Sequence, residues 1–173
     1  MSGATSASGV KRARSSDRLM KVLCVCTGNT CRSPMLMALL RAETLRTGRK
    51  DILVESAGTA AGAGASASDE AVCCMAARNL DLSHHRSRNV GHLELTGFDQ
   101  ILCMSSQHAA ALRSRNVPAA RLAVINAEQG GVPDPFGRDL AAYETCAQVL
   151  ERYAREWMGR EEGVEKGAEG RRD

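Results

Sequence analysis

Short apolar runs alternate along the chain with longer segments in which apolar residues recur every three or four positions. The first run, residues 20–25, predicts a strand, and residues 34–46 place Leu36, Met37, Leu39 and Leu40 on one helical face. Pro34 suits the first position of that helix, where a missing N–H costs nothing, and Thr47-Gly48 ends it. A second strand follows at 52–56, then a Gly/Ala/Ser loop to about residue 68. Residues 69–78 form a helix whose acidic first turn matches its dipole. Cys73 and Cys74 fall inside it; as neighbours they point apart, so both read as core packing rather than as a disulfide or shared ligand pair. A polar loop spans 81–89. A third strand (99–104), a helix (106–113) capped by Ser105 or Ser106, and a fourth strand (121–125) come next. Pro133 and Pro135 stiffen the loop 132–137. The last helix, 139–158, carries Leu140, Tyr143, Ala147, Leu150, Ala154 and Trp157 as one core stripe.

Strands alternating with helices imply an α/β fold with three layers, a four-stranded parallel sheet covered on both faces by helices. Ligands in such sheets bind at the carboxyl ends of the strands. Cys26 and the loop after Ile125 both lie at that edge, so Asp134 is free to approach Cys26 despite their separation in sequence.

With 173 residues the chain fits one domain. The expected layout is a disordered basic tail (1–18), the folded domain (19–158) and a charged tail (159–173). The net charge of +3 is not gathered on one element, so nucleic acid and membrane surfaces find no support as partners. No run approaches the ~20 apolar residues of a membrane span, and the N-terminus lacks a secretory core; a transit peptide or nuclear address is the weaker reading of Lys11, Arg12 and Arg14. Seven cysteines with no disulfide pattern suit a reduced cytoplasmic monomer.

The candidate chemistry sits between the first strand and helix, in Val25-Cys-Thr-Gly-Asn-Thr-Cys-Arg-Ser-Pro34. A cysteine, five residues and an arginine on a strand-to-helix turn supply what phosphoryl transfer to sulfur needs. Backbone N–H groups of Thr27, Gly28, Asn29, Thr30, Cys31 and Arg32, with the helix N-terminus, converge on an anion and favour a thiolate. Gly28 and Asn29 tolerate left-handed conformations. The planar Arg32 fork can hold two phosphoryl oxygens. Cys26 is the nucleophile, Asp134 the proton donor and later the base toward water, and Ser33 a donor to the departing sulfur. No metal or cofactor is required. Zinc at Cys24, Cys26 and Cys31 is a poor alternative, because these cysteines lack the usual ligand spacing.

This constellation resembles the low-molecular-weight protein tyrosine phosphatase family over residues 20–158. Residues 26–34 match its phosphate loop, Ser56-Ala-Gly-Thr59 its turn after the second strand, and Asp134-Pro-Phe136 its acid loop. The resemblance implies the family's fold, a phosphorylated protein substrate, and support of Asn29 by Ser56 and by His85 from the polar loop. Tyrosine-specific members carry isoleucine where this chain has Thr30; the resemblance leans toward the bacterial protein-arginine-phosphatase branch, which carries threonine. A threonine hydroxyl can accept from a phosphoguanidinium where an isoleucine methyl cannot. Phe136 is followed by glycine, not a second ring, giving a one-walled pocket, so phosphoarginine ranks ahead of phosphotyrosine. Cys31 is a candidate redox partner of Cys26. The rivals are thiol-linked arsenate reduction, for which Cys73, Cys74 and Cys103 lack the needed spacing, and a non-catalytic phosphate-binding or redox module.

Overall fold

A computed structural model describes residues 18–169. The reading of the basic N-terminal segment, Lys11, Arg12 and Arg14 included, falls outside those residues. Four strands, β1 (Met20–Cys26), β2 (Ile52–Gly58), β3 (Gln100–Cys103) and β4 (Leu122–Val124), form one sheet in the order β2-β1-β3-β4. All three pairings are parallel, which places every strand's carboxyl end at one edge. Helices α1 (Arg32–Arg46), α2 (Asp69–Ala76), α3 (Ser106–Arg113) and α4 (Leu140–Glu169) are the crossovers and outer layers.

The alternation along β1 builds the layers. Val22, Cys24 and Cys26 point into a cluster with Leu36 and Leu40 of α1 and Ala147, Leu150 and Trp157 of α4. Leu23 and Val25 point the other way, toward Phe98 and toward Ala109 and Leu112 of α3. Each face of β1 is therefore sealed, and the loop that leaves its carboxyl end is anchored by a buried strand behind and a buried helix ahead. Truncating a residue such as Leu36 to alanine costs about 2–5 kcal/mol in such surroundings.

The elements stand where the pattern put them, with informative differences. Helix α1 starts at Arg32, so Pro34 is its third residue; it remains in the first turn, where no N–H has an intrahelical acceptor. Strand β2 runs on to Gly58, which pairs with Cys26 in register. Only Cys74 of the adjacent cysteines is core; Cys73 is exposed, because one residue's rotation about the helix carries it off the narrow face that α2 buries. Leu140 leaves the stripe and is 48% exposed, being the first residue of α4. That helix does not end at Met158 but continues to Glu169, through a segment rich in good helix formers.

Candidate active site

The loop from Cys26 to Arg32 is fixed through its carbonyls. The oxygens of Cys26 and Thr27 accept from the amides of Thr59 (2.9 Å) and Ala60 (3.0 Å), just beyond β2. Those of Thr30 and Cys31 accept from Ser68 N (2.9 Å) and Met35 N (3.1 Å), and that of Asn29 pairs with His85 Nε2 (2.7 Å). With the carbonyls drawn outward, the N–H groups are left to the inside of the turn: Asn29 N lies 3.3 Å from Cys26 Sγ. Among the described residues, the amides of Gly28, Thr30 and Cys31 donate to no atom of the chain. Such a ring of free N–H groups at the start of α1 is an anion seat.

Two residues make the close turn possible. A Cβ on Gly58 would meet Thr27 O at 2.3 Å and Asn29 N at 2.9 Å, so only glycine lets β2 back the loop. Asn29 adopts the left-handed region (φ 56°) and is fully buried. Its Nδ2 donates to Ser33 Oγ (2.9 Å) and Ser56 Oγ (3.0 Å), and its Oδ1 accepts from Arg88 N (3.0 Å). These bonds hold a conformation that costs about 1 kcal/mol in an L-residue. Gly28, by contrast, does not use the left-handed region expected of it; Asn29 alone does.

Cys26 Sγ lies 3.0 Å from Ser33 Oγ. Asn29 already donates to that hydroxyl, so its own proton is free to go to the sulfur or to Ala57 O at 3.3 Å. Arg32, nearly buried, gives Nη1 to Val132 O (3.0 Å) and Nη2 to Asp134 Oδ2 (2.6 Å). Its Nε is buried without a partner, a donor left over for an anion in the cleft. Asp134 is half exposed; its other oxygen accepts Phe136 N at 3.2 Å, closing the turn of the acid loop. Cys26, Thr27, Thr30, Arg32, Asp134 and Phe136 surround a cleft of about 180 Å³. A larger hollow of about 330 Å³ between the end of β4 and α4, lined by Glu128, Arg152, Tyr153 and Arg160, offers neither a nucleophile nor converging amides, so chemistry rather than volume marks the site.

Every residue singled out from the sequence lies at or behind this cleft. Ser56 and His85 hold Asn29 from β2 and from the polar loop, His85 through the backbone carbonyl rather than the amide side chain. Burial, more than the surrounding arginines, holds the His85 pKa below the ordinary value, against the pull of the Asn29 carbonyl. A neutral imidazole facing a carbonyl carries its proton on Nε2. Phe136 is 70% exposed at the rim. Cys31 Sγ is engaged by Tyr143 Oη at 3.2 Å and Ser68 Oγ at 3.6 Å. Two participants escaped the sequence. Tyr143, read as plain core, reaches Cys31 from α4, and burial followed by that contact pushes its phenol pKa up. His108 on α3 touches Thr27, and only the Ser105-x-x-His108 spacing at a strand's carboxyl end hinted at it.

An anion seat with a sulfur at its base, at the carboxyl edge of a parallel sheet, is the equipment of a phosphatase, and known proteins agree in kind. The chain is 34% identical over 142 residues to the probable low molecular weight protein-tyrosine-phosphatase EpsP of Ralstonia nicotianae, covering 80% of this chain and 94% of that one. It is 32% identical over 142 residues to the protein-arginine-phosphatase of Bacillus subtilis, covering 79% and 93%. A crystal structure of a low molecular weight protein tyrosine phosphatase from T. tengcongensis matches with a TM-score of 0.76 at 35% identity, over 82% of this chain and 99% of that chain. The sequence model of the low molecular weight phosphotyrosine protein phosphatase family matches residues 21–169, and the chain belongs to that family. It is a hydrolase of the protein-phosphatase kind. Among the described residues no helix is long and apolar enough to cross a membrane.

Proposed function

We propose that the protein dephosphorylates phosphoarginine in proteins through a cysteinyl-phosphate on Cys26, acting as a monomer in a reduced cytoplasm. The phosphoryl group sits on the loop amides and takes Arg32 Nε and Nη2, displacing Asp134 toward the leaving atom. The Cys26 thiolate attacks phosphorus as the P–N bond breaks, and Asp134 hands its proton to the departing guanidine nitrogen. Water then attacks the S–P bond, giving its proton to Asp134; inorganic phosphate leaves and the thiolate returns, helped by the Ser33 hydroxyl. Cys31, held by Tyr143 and Ser68 directly behind the loop, is the candidate to trap an oxidised Cys26 as a disulfide.

The observation that carries the choice of substrate is the Thr30 hydroxyl on the cleft wall. Its one side-chain contact is a long 3.6 Å approach to Cys31 Sγ, so its acceptor capacity remains for a ligand. A phosphoguanidinium brings N–H donors that need such acceptors, and an unpaired buried donor costs about 1–3 kcal/mol. Phosphotyrosine is the second reading, favoured by the Phe136 ring at the rim and by relatives named for that activity. Turnover of phosphoarginine and phosphotyrosine peptides by wild type and Thr30→Ile decides. The substitution is expected to lower the phosphoarginine-to-phosphotyrosine ratio of kcat/KM by about ten-fold or more. An unchanged ratio would remove Thr30 from the account, and a wild-type preference for phosphotyrosine would overturn the first reading.

A further inference from the structure

His108 stands in the first turn of α3, buried beside the loop, with both ring nitrogens engaged. Nε2 lies 2.9 Å from Thr27 Oγ1 and Nδ1 lies 2.8 Å from Ser105 Oγ. Thr27 follows the nucleophile directly, is exposed, and lines the cleft. A hydroxyl has a single proton to give. Around a neutral imidazole, one ring nitrogen is an acceptor, so one of these two hydroxyls spends its proton on the ring. Around an imidazolium, both nitrogens donate and both hydroxyls accept. In the tautomer whose Nε2 accepts from Thr27, protonation therefore releases the Thr27 proton from the ring, and the open side of Thr27 is the cleft.

We infer that His108 is a positioning residue for phosphate: it takes up a proton from solvent when the anion binds, and turns the Thr27 hydroxyl into a donor toward a phosphoryl oxygen. This rests on the phosphatase reading of the cleft but not on which group leaves. The charged groups that face His108 are Arg32 from α1 and Asp134 from the acid loop; its other partners, Thr27 and Ser105, are neutral. Burial first, then Arg32, lowers the His108 pKa in the free protein, while Asp134 pulls it upward. A bound phosphoryl dianion offsets the Arg32 charge and adds an attraction of its own, so the balance moves toward the protonated form in the complex. The coupling is reciprocal: whatever phosphate does to the proton affinity of His108, protonation of His108 does to the affinity for phosphate.

The test is an NMR titration of the four histidines of the full chain, with and without saturating inorganic phosphate, His108 being assigned by its loss in His108→Gln. Phosphate is expected to raise the His108 midpoint by about one unit, equivalent to ten-fold tighter phosphate binding by the protonated form. In Thr27→Val the dianion still attracts the imidazolium but the hydroxyl relay is gone, so the rise should shrink measurably while the spectrum stays native. A His108 midpoint that phosphate does not move overturns the inference, as does a rise that survives intact in Thr27→Val. If phosphate also leaves the Gly28 and Thr30 amides unperturbed, the cleft reading itself fails; moved amides beside an unmoved His108 sink this inference alone.

Discussion

The phosphate loop and the acid loop meet over one cleft but are built on opposite principles. The loop is held on all sides: its carbonyls are anchored by β2, by the polar loop and by the turns before α2 and within α1, and Asn29 alone makes three side-chain hydrogen bonds, two of them buried. The acid loop reaches the cleft from the far end of the chain, with Asp134 half exposed and held by one ion pair to Arg32 and one turn bond to Phe136. The difference suits their tasks. Donors that stabilise a transferring phosphoryl group must be in place beforehand, so that no reorganisation is needed at the moment of reaction. A proton donor must give way to the substrate and then return to a different atom, so besides the local turn bond its restraint is one ion pair that the substrate itself replaces.

The largest effect should come from breaking the acid loop's chemistry. Asp134→Ala is expected to lower kcat toward phenyl phosphate by about 10²–10⁴-fold, and less toward nitrophenyl phosphate, whose leaving group needs little proton help. Its melting curve should shift only modestly, since solvent screens the half-exposed Asp134 end of the pair even though Arg32 is buried. Equal losses on both esters would show that Asp134 is not the proton donor.

Asn29→Ala is the converse. Leaving the Ser33, Ser56 and Arg88 groups unmatched is expected to cost about 3 kcal/mol of stability, read by denaturant unfolding. Activity should fall with it through a loosened Ser33 and Cys26. A variant as stable as wild type would mean the loop is not braced through this side chain.

The smallest effect is electrostatic. His85 has its folded pKa below the ordinary histidine value of about 6.5. The unfolded chain therefore takes up a proton first, and stability falls as pH drops below about 6.5 toward the depressed folded value, being fully present above it. His108 contributes with the same sign. In His85→Gln, which keeps a donor for the Asn29 carbonyl, the acid-side slope of the melting temperature should flatten; an unchanged slope would assign it to other groups.

What could be read in the sequence, and what could not, follows from the same contrast. Cys26, Arg32, Ser33 and Pro34 share one turn, so strand, glycine-bearing loop and helix start announce the site locally. Asp134 was legible because parallel topology sends the loop after β4 to the same edge as the loop after β1. His108 and Tyr143 were not, because a lone histidine in the first turn of a helix and an aromatic on a core stripe look the same whether or not they touch a loop far away in sequence. The Gly58 requirement was equally hidden: a glycine in an Ala-Gly loop becomes obligatory only when β2 continues to it and packs its Cα against Thr27 O. Helix α4 outran its expected end because charge alone suggested a tail, although Arg160, Glu161, Glu162, Glu165, Lys166, Ala168 and Glu169 are good helix formers that outweigh the three glycines of residues 159–169.

The central claim, that phosphate passes through the sulfur of Cys26, is tested most directly by acid-quenching Asp134→Ala during turnover of nitrophenyl phosphate and locating the phosphoryl group by mass spectrometry. The account predicts a single phosphorylated peptide, modified on Cys26 and absent in the Cys26→Ser, Asp134→Ala double variant. A phosphoryl group on any other residue, or undiminished hydrolysis by Cys26→Ser alone, would contradict it.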